Sequence, residues 1–160
     1  MATEGMKLTD FYAASTVCAP SRCSLMTGVH TGHALVRGNR EVQPEGQAPL
    51  PASALTLPEV LGKVGYVSGM FGKWGLGSPG SEGDPMNQGF DRFYGYNCQR
   101  QAHTFYPDHL WSDRNKVTVS VSKTGCCPRS TRLRFNSSPL VRLKFPATIR
   151  FLAGQLLLRK

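Results

Sequence analysis

What the 160-residue chain lacks narrows it first. Residues 117–160 contain no acidic side chain against nine Lys and Arg, whereas residues 1–116 hold ten of each sign, so the whole formal charge of +9 sits in the last 44 residues. A balanced body with a basic end does not carry the usual inference from net charge to nucleic acid, and no nucleic-acid partner is expected. No stretch reaches the roughly 18 consecutive apolar residues of a membrane span, and Met1 to Asp10 lacks the basic, apolar and small-residue zones of a secretory signal. Five cysteines at irregular spacing argue against a complete disulfide framework, and no internal repeat is visible. With 40 % apolar and 9 % aromatic residues, the chain can nevertheless build the core of one ordinary domain.

The punctuation of residues 11–118 predicts alternating helices and strands. Phe11 to Gly28 reads as a strand-like approach, a short polar loop and a helix, with Pro20 in its first turn, Gly28 as its C-terminal cap and Cys18 at its N-terminus. Val36 to Ser53 reads as a long surface loop rich in Pro, Gly, Gln and Asn. Thr56 caps a second short helix with Pro58 and Glu59 in its first turn and Gly65 as its end, and Tyr66 to Phe71 follows as a strand. A helix feeding a strand through one glycine is an α/β pattern. Gly77 to Gly89 is a loop, and the aromatics between Phe90 and Trp111 suit either a satellite core or a ligand-facing wall. Val117 to Val121 alternates like a strand. The closing segment IRFLAGQLLLRK can be drawn as a basic amphipathic helix, but an acid-free window of this length is simpler to read as out-of-frame or mis-spliced translation, or as disorder.

Cys18, Cys23, His30 and His33 form a C-x4-C-x6-H-x2-H array that invites zinc. Zinc fingers space the second Cys and first His by about twelve residues, so solvated histidines at a helix end are the better expectation. A different pattern fits at every specified position. Cys18-Ala-Pro-Ser-Arg22, followed by Leu25, Thr27 and Gly28, resembles the sulfatase signature C-x-P-S-R-x-x-L-x-T-G. Two further stretches follow in the family's order: Gly65 to Gly77 resembles its second signature, G-Y-x-[ST]-x-x-x-G-K-W-x-L-G, and Gly89 to Gly95 resembles the turn after it.

That resemblance covers roughly residues 1–118 and implies the early part of an alkaline-phosphatase-like α/β sandwich, a mixed sheet with flanking helices. Residues 119–160 fall outside it. It also implies a sulfuric ester hydrolase of arylsulfatase type, in which a formylglycine-generating enzyme oxidises Cys18 to formylglycine. By the same resemblance Arg22 holds the formylglycine hydroxylate, Lys73 contacts the sulfate of a sulfate-ester substrate, and Cys18 belongs to the metal shell. Many members carry His after Lys-Trp where this chain has Gly75. His103 is the natural substitute as proton acceptor or sulfate ligand, set in an aromatic, partly apolar segment, with His109 a weaker candidate. Members bind a divalent cation, usually calcium, through paired Asp on the first strand and a later Asp-Asn or Asp-His pair. Neither pair is present, so the expectation is a fragment without turnover of its own; the sequence leaves location open, and the resemblance leans towards an exported parent because sulfatases are often exported. Two rival readings are a non-catalytic product whose basic tail binds an anionic partner, and a phosphate-ester hydrolase on the same fold.

Overall fold

Ala19, Cys23 and Met26 recur at the spacing of one helix face. The computed structural model describes residues 8–104 and 106–119, with the backbone of 149–151 and 155–159, and buries all three inside α1, Cys18–Thr27. Extended Val17 precedes the helix, and Gly28 closes it at φ 70°, its N–H donating to the Ser24 carbonyl at 2.8 Å. The expected strand before it does not form. Residues 11–17 pair with no strand among the described residues, and Phe11 and Tyr12 stay exposed.

Helix α2, Leu57–Gly62, starts where its cap places it. The Thr56 N–H donates to Glu59 Oε2 at 2.7 Å, and Thr56 Oγ1 donates to the Gln88 carbonyl at 2.8 Å, tying the helix start to a distant loop. The helix stops at Gly62, three residues short of the expected end. Gly65 turns the chain at φ 85° into strand β1, Val67–Lys73. A crossover with a single 3-10 turn, Pro85–Asn87, leads to β2, Arg92–Tyr96, parallel to β1 with Lys73 opposite Tyr96. Parallel pairing brings the carboxyl ends of both strands to one edge, where α3, Gln99–His103, begins.

β3, His109–Ser112, and β4, Asn115–Thr118, continue the sheet antiparallel beyond β2. On the other side of β1 lie β6, Gln155–Arg159, and β5, Ile149–Phe151, both antiparallel to their neighbours, giving the order β4-β3-β2-β1-β6-β5. This mixed sheet with helices is the α/β class that the sequence implies. Where a basic amphipathic helix could be drawn there are two strands, because a short apolar run fits either element by periodicity alone. Cys126, Cys127 and the rest of 120–148 lie outside the described residues, as does the end of the strand expected over 117–121.

The core joins Ala19, Cys23 and Met26 to Val36, Leu50, Met70, Trp74, Leu76, Phe90 and Phe93. Trp74 meets Phe90 edge to face with centroids 5.6 Å apart and donates from Nε1 to the Gly83 carbonyl at 2.7 Å. The aromatic segment thus divides: Phe90 and Phe93 are core, Trp111 packs against it, and Tyr106 is exposed. Among the described residues no helix is long and apolar enough to cross a membrane.

Candidate active site

Cys18 opens α1, and Arg22 follows one turn later in the same stripe, beside the buried face. Val17 supplies no capping side chain, so the first turn is capped from outside: Asn39, in the loop after α1, accepts from the Ala19 N–H through Oδ1 at 3.0 Å. Its Nδ2 lies 3.1 Å from Cys18 Sγ. On the other side the thiol meets Gln99 Oε1, from the first residue of α3. Two carboxamides therefore flank residue 18.

Arg22 is not the surface cation a lone arginine usually is. Burial holds its guanidinium below the ordinary arginine value, with the neighbouring Cys18 opposing that shift in part. Its Nε is buried without a hydrogen-bond partner, and no carboxylate pairs with it among the described residues. Eight buried side-chain atoms there lack a partner, and that of Arg22 is the charged one. The side chain as a whole is half-buried, so the cost of the missing partner falls on the desolvated Nε edge, and an anion there would offset it.

Lys73 stands at the end of β1, as expected of a strand-end cation, and its Nζ lies 3.2 Å from His103 Nε2. Two candidate residues 30 positions apart in the sequence thus meet. His103 ends α3 on an exposed surface rather than in the partly apolar setting expected for it. Gln99 and His103, four residues apart on α3, share a face, so this helix links the thiol to the Lys73–His103 pair.

His109, the weaker candidate, sits apart in a polar cluster. Its Nδ1 is 2.6 Å from Asp108 and its Nε2 2.8 Å from Glu45, whose other oxygen accepts from Trp111 Nε1 at 2.7 Å. A cavity of about 350 Å³ opens beside it, bordered by Glu45, Cys98, Gln101 and Tyr106.

The zinc array does not assemble. Cys23 is wholly buried in the core, and no group of three or more His, Cys, Asp or Glu among the described residues could hold a metal ion. Calcium does not fit them either. It takes six to eight oxygens, carboxylates among them, and although the Asn39 and Gln99 carboxamide oxygens at residue 18 are of the right kind, no carboxylate joins them among the described residues. Sequence reasoning missed Asn39 and Gln99. The available signal was Gly75, where the resemblance leads one to expect a histidine: a Cβ built there would run into the Gln99 side chain.

Residues 1–120 match the sulfatase family. Human arylsulfatase G is 46 % identical over 95 residues, covering 59 % of this chain and 18 % of that protein. Human N-acetylgalactosamine-6-sulfatase is 40 % identical over 106 residues, covering 61 % and 20 %. The crystal structure of Ps i-CgsB shares the fold at a TM-score of 0.56 and 24 % identity, over 68 % of this chain and 28 % of that one. The chain spans about a fifth of the length of the curated relatives it matches. With the family match covering three quarters of its residues, the chain belongs to the sulfatase family.

Proposed function

We propose that residue 18 is the nucleophile of a sulfuric ester hydrolase after its oxidation to formylglycine. The observation that carries this reading is Arg22: a half-buried guanidinium whose Nε is buried and unbonded, with no carboxylate paired to it among the described residues, lies one helical turn from residue 18 and is suited to an anion. The N-terminal N–H groups of α1 add partial positive charge where sulfate oxygens would lie.

The chemistry follows from the hydrated aldehyde, which carries two hydroxyls on one carbon. One attacks sulfur and the ester oxygen departs as the alcohol, leaving sulfate bound to the enzyme. The second hydroxyl then loses its proton, the aldehyde re-forms, and sulfate is expelled. Cys18 Sγ marks where these hydroxyls lie. Arg22 would hold the hydroxylate and offset charge on the sulfate, and Lys73 would neutralise a sulfate oxygen. His103, already against Lys73, would accept the proton in the second step. In the family calcium supplies further charge stabilisation, but the described residues offer it no ligand set and no step is assigned to it. We further propose that the family unit ends near residue 118 and that residues 119–160 are foreign to it, in keeping with the family match and the acid-free composition.

The test is co-expression of the chain with a formylglycine-generating enzyme and mass analysis of the peptide bearing residue 18, expected to carry an aldehyde. An unmodified thiol would contradict the reading. In a longer protein containing this segment, Cys18→Ser should abolish hydrolysis of an aryl sulfate. Retained hydrolysis of an aryl phosphate by that variant would favour a phosphate-ester hydrolase.

A further inference from the structure

Three observations meet at Gln99. Gly75 adopts φ +76°, and a Cβ built on it would lie 3.0 Å from Gln99 Cγ and 3.1 Å from Cδ, with Nε2 closer still. Position 75 and the Gln99 carboxamide therefore compete for one volume. Gln99 is only 4 % exposed, and its Oε1 touches Cys18 Sγ. Its Nε2 is buried and has no hydrogen-bond partner among the described residues. An amide whose oxygen is used and whose N–H groups are desolvated and unpaired lacks an acceptor.

Resting on the sulfatase reading, we propose that Gln99 is a substrate-contacting and positioning residue of this site, admitted there because position 75 is glycine. Its Oε1 accepts a hydrogen bond from the head group of residue 18, and its Nε2 donates to an oxygen of the sulfate that residue 18 attacks. The carboxamide orients both partners without titrating, so proton transfer is left to His103, one turn along the same helix. The thiol of Cys18 offers this cradle one weak donor, whereas a hydrated aldehyde offers two hydroxyls, one to Gln99 Oε1 and one to Asn39 Oδ1, which lies 3.5 Å from Sγ.

The experiment uses the full chain with Cys18 as the reporter. Its alkylation by iodoacetamide is followed at the peptide level against pH, with and without methyl sulfate as the anionic probe. Methyl sulfate should protect the wild-type thiol. Gln99→Met should weaken that protection about tenfold, as expected for one hydrogen bond to a charged group. Gln99→Glu should do the same and also raise the midpoint of Cys18 reactivity, because a second negative charge disfavours the thiolate. Gly75→Ala, acting from another element, should reproduce Gln99→Met by displacing the amide. Protection by methyl sulfate within twofold of wild type in folded Gln99→Met or in Gly75→Ala overturns the inference while leaving the sulfatase reading intact. A wild-type thiol that methyl sulfate never protects overturns both.

Discussion

Two polar clusters, one around residue 18 and one around His109, are built to opposite plans. Around His109 both ring nitrogens and both Glu45 oxygens have partners, and among the side chains named there only Gln101 Oε1 is left over. Around residue 18 a guanidinium nitrogen and an amide nitrogen are buried with none. Satisfied networks hold structure together, whereas unsatisfied ones are kept at a cost that a ligand can repay. The His109 cluster accordingly serves the loop that carries Asn39: Glu45 ties it to β3, and Glu41 ties it to α3 through Arg100 at 2.5 Å. One cluster anchors the loop, and the other is where the proposed function seats an anion.

The contrast breaks most sharply at Arg22. Arg22→Met keeps the packing and removes the uncompensated charge, so without ligand the variant should be more stable, on the order of 1–3 kcal/mol, in thermal unfolding. A destabilised variant would mean that Arg22 has a structural counterion. Glu45→Ala should do the reverse, costing about 2 kcal/mol and lowering Tm by roughly 4–8 °C, since it leaves His109 and Trp111 without their shared acceptor. Loss of the α2 cap gives a reference for an interaction remote from both clusters: Glu59→Ala should cost about 1 kcal/mol and leave Cys18 alkylation unchanged. The smallest effect is expected at exposed Asp108, whose carboxyl is held below the ordinary value chiefly by its hydrogen bond to His109. A depressed folded value stabilises above the unfolded carboxylate pKa of about 4 and is lost as pH falls through the folded value. Wild type and Asp108→Asn should therefore differ slightly at neutral pH and converge in acid, as urea unfolding at several pH values would record.

Much of the frame is legible in the sequence because local signals carry it. Gly28 ends α1, Thr56 and Glu59 start α2, and the run after Gly65 is a strand, Val67–Lys73, that extends two residues past the expected end at Phe71. Cys18 and Arg22 stand out through their motif. Asn39 and Gln99 do not, since neutral amides in a loop and a five-residue helix have neither periodicity nor charge to mark them, and their place depends on contacts 21 and 81 residues away in the chain. The resemblance of the second signature draws attention to Gly75, but only the fold shows Gln99 filling the space beside it. The last strands escape for another reason. IRF and QLLLR are short runs whose character is decided by a partner: QLLLR pairs with the edge of β1 left free by β2, and IRF pairs with QLLLR.

Calorimetric titration of inorganic sulfate into the full chain, wild type beside Arg22→Met at one ionic strength, tests the central claim most directly. Wild type should bind saturably and the variant at least about tenfold more weakly, one cation's worth of charge-assisted hydrogen bonding. Equal affinity in the two proteins would show that the anion is not held by Arg22.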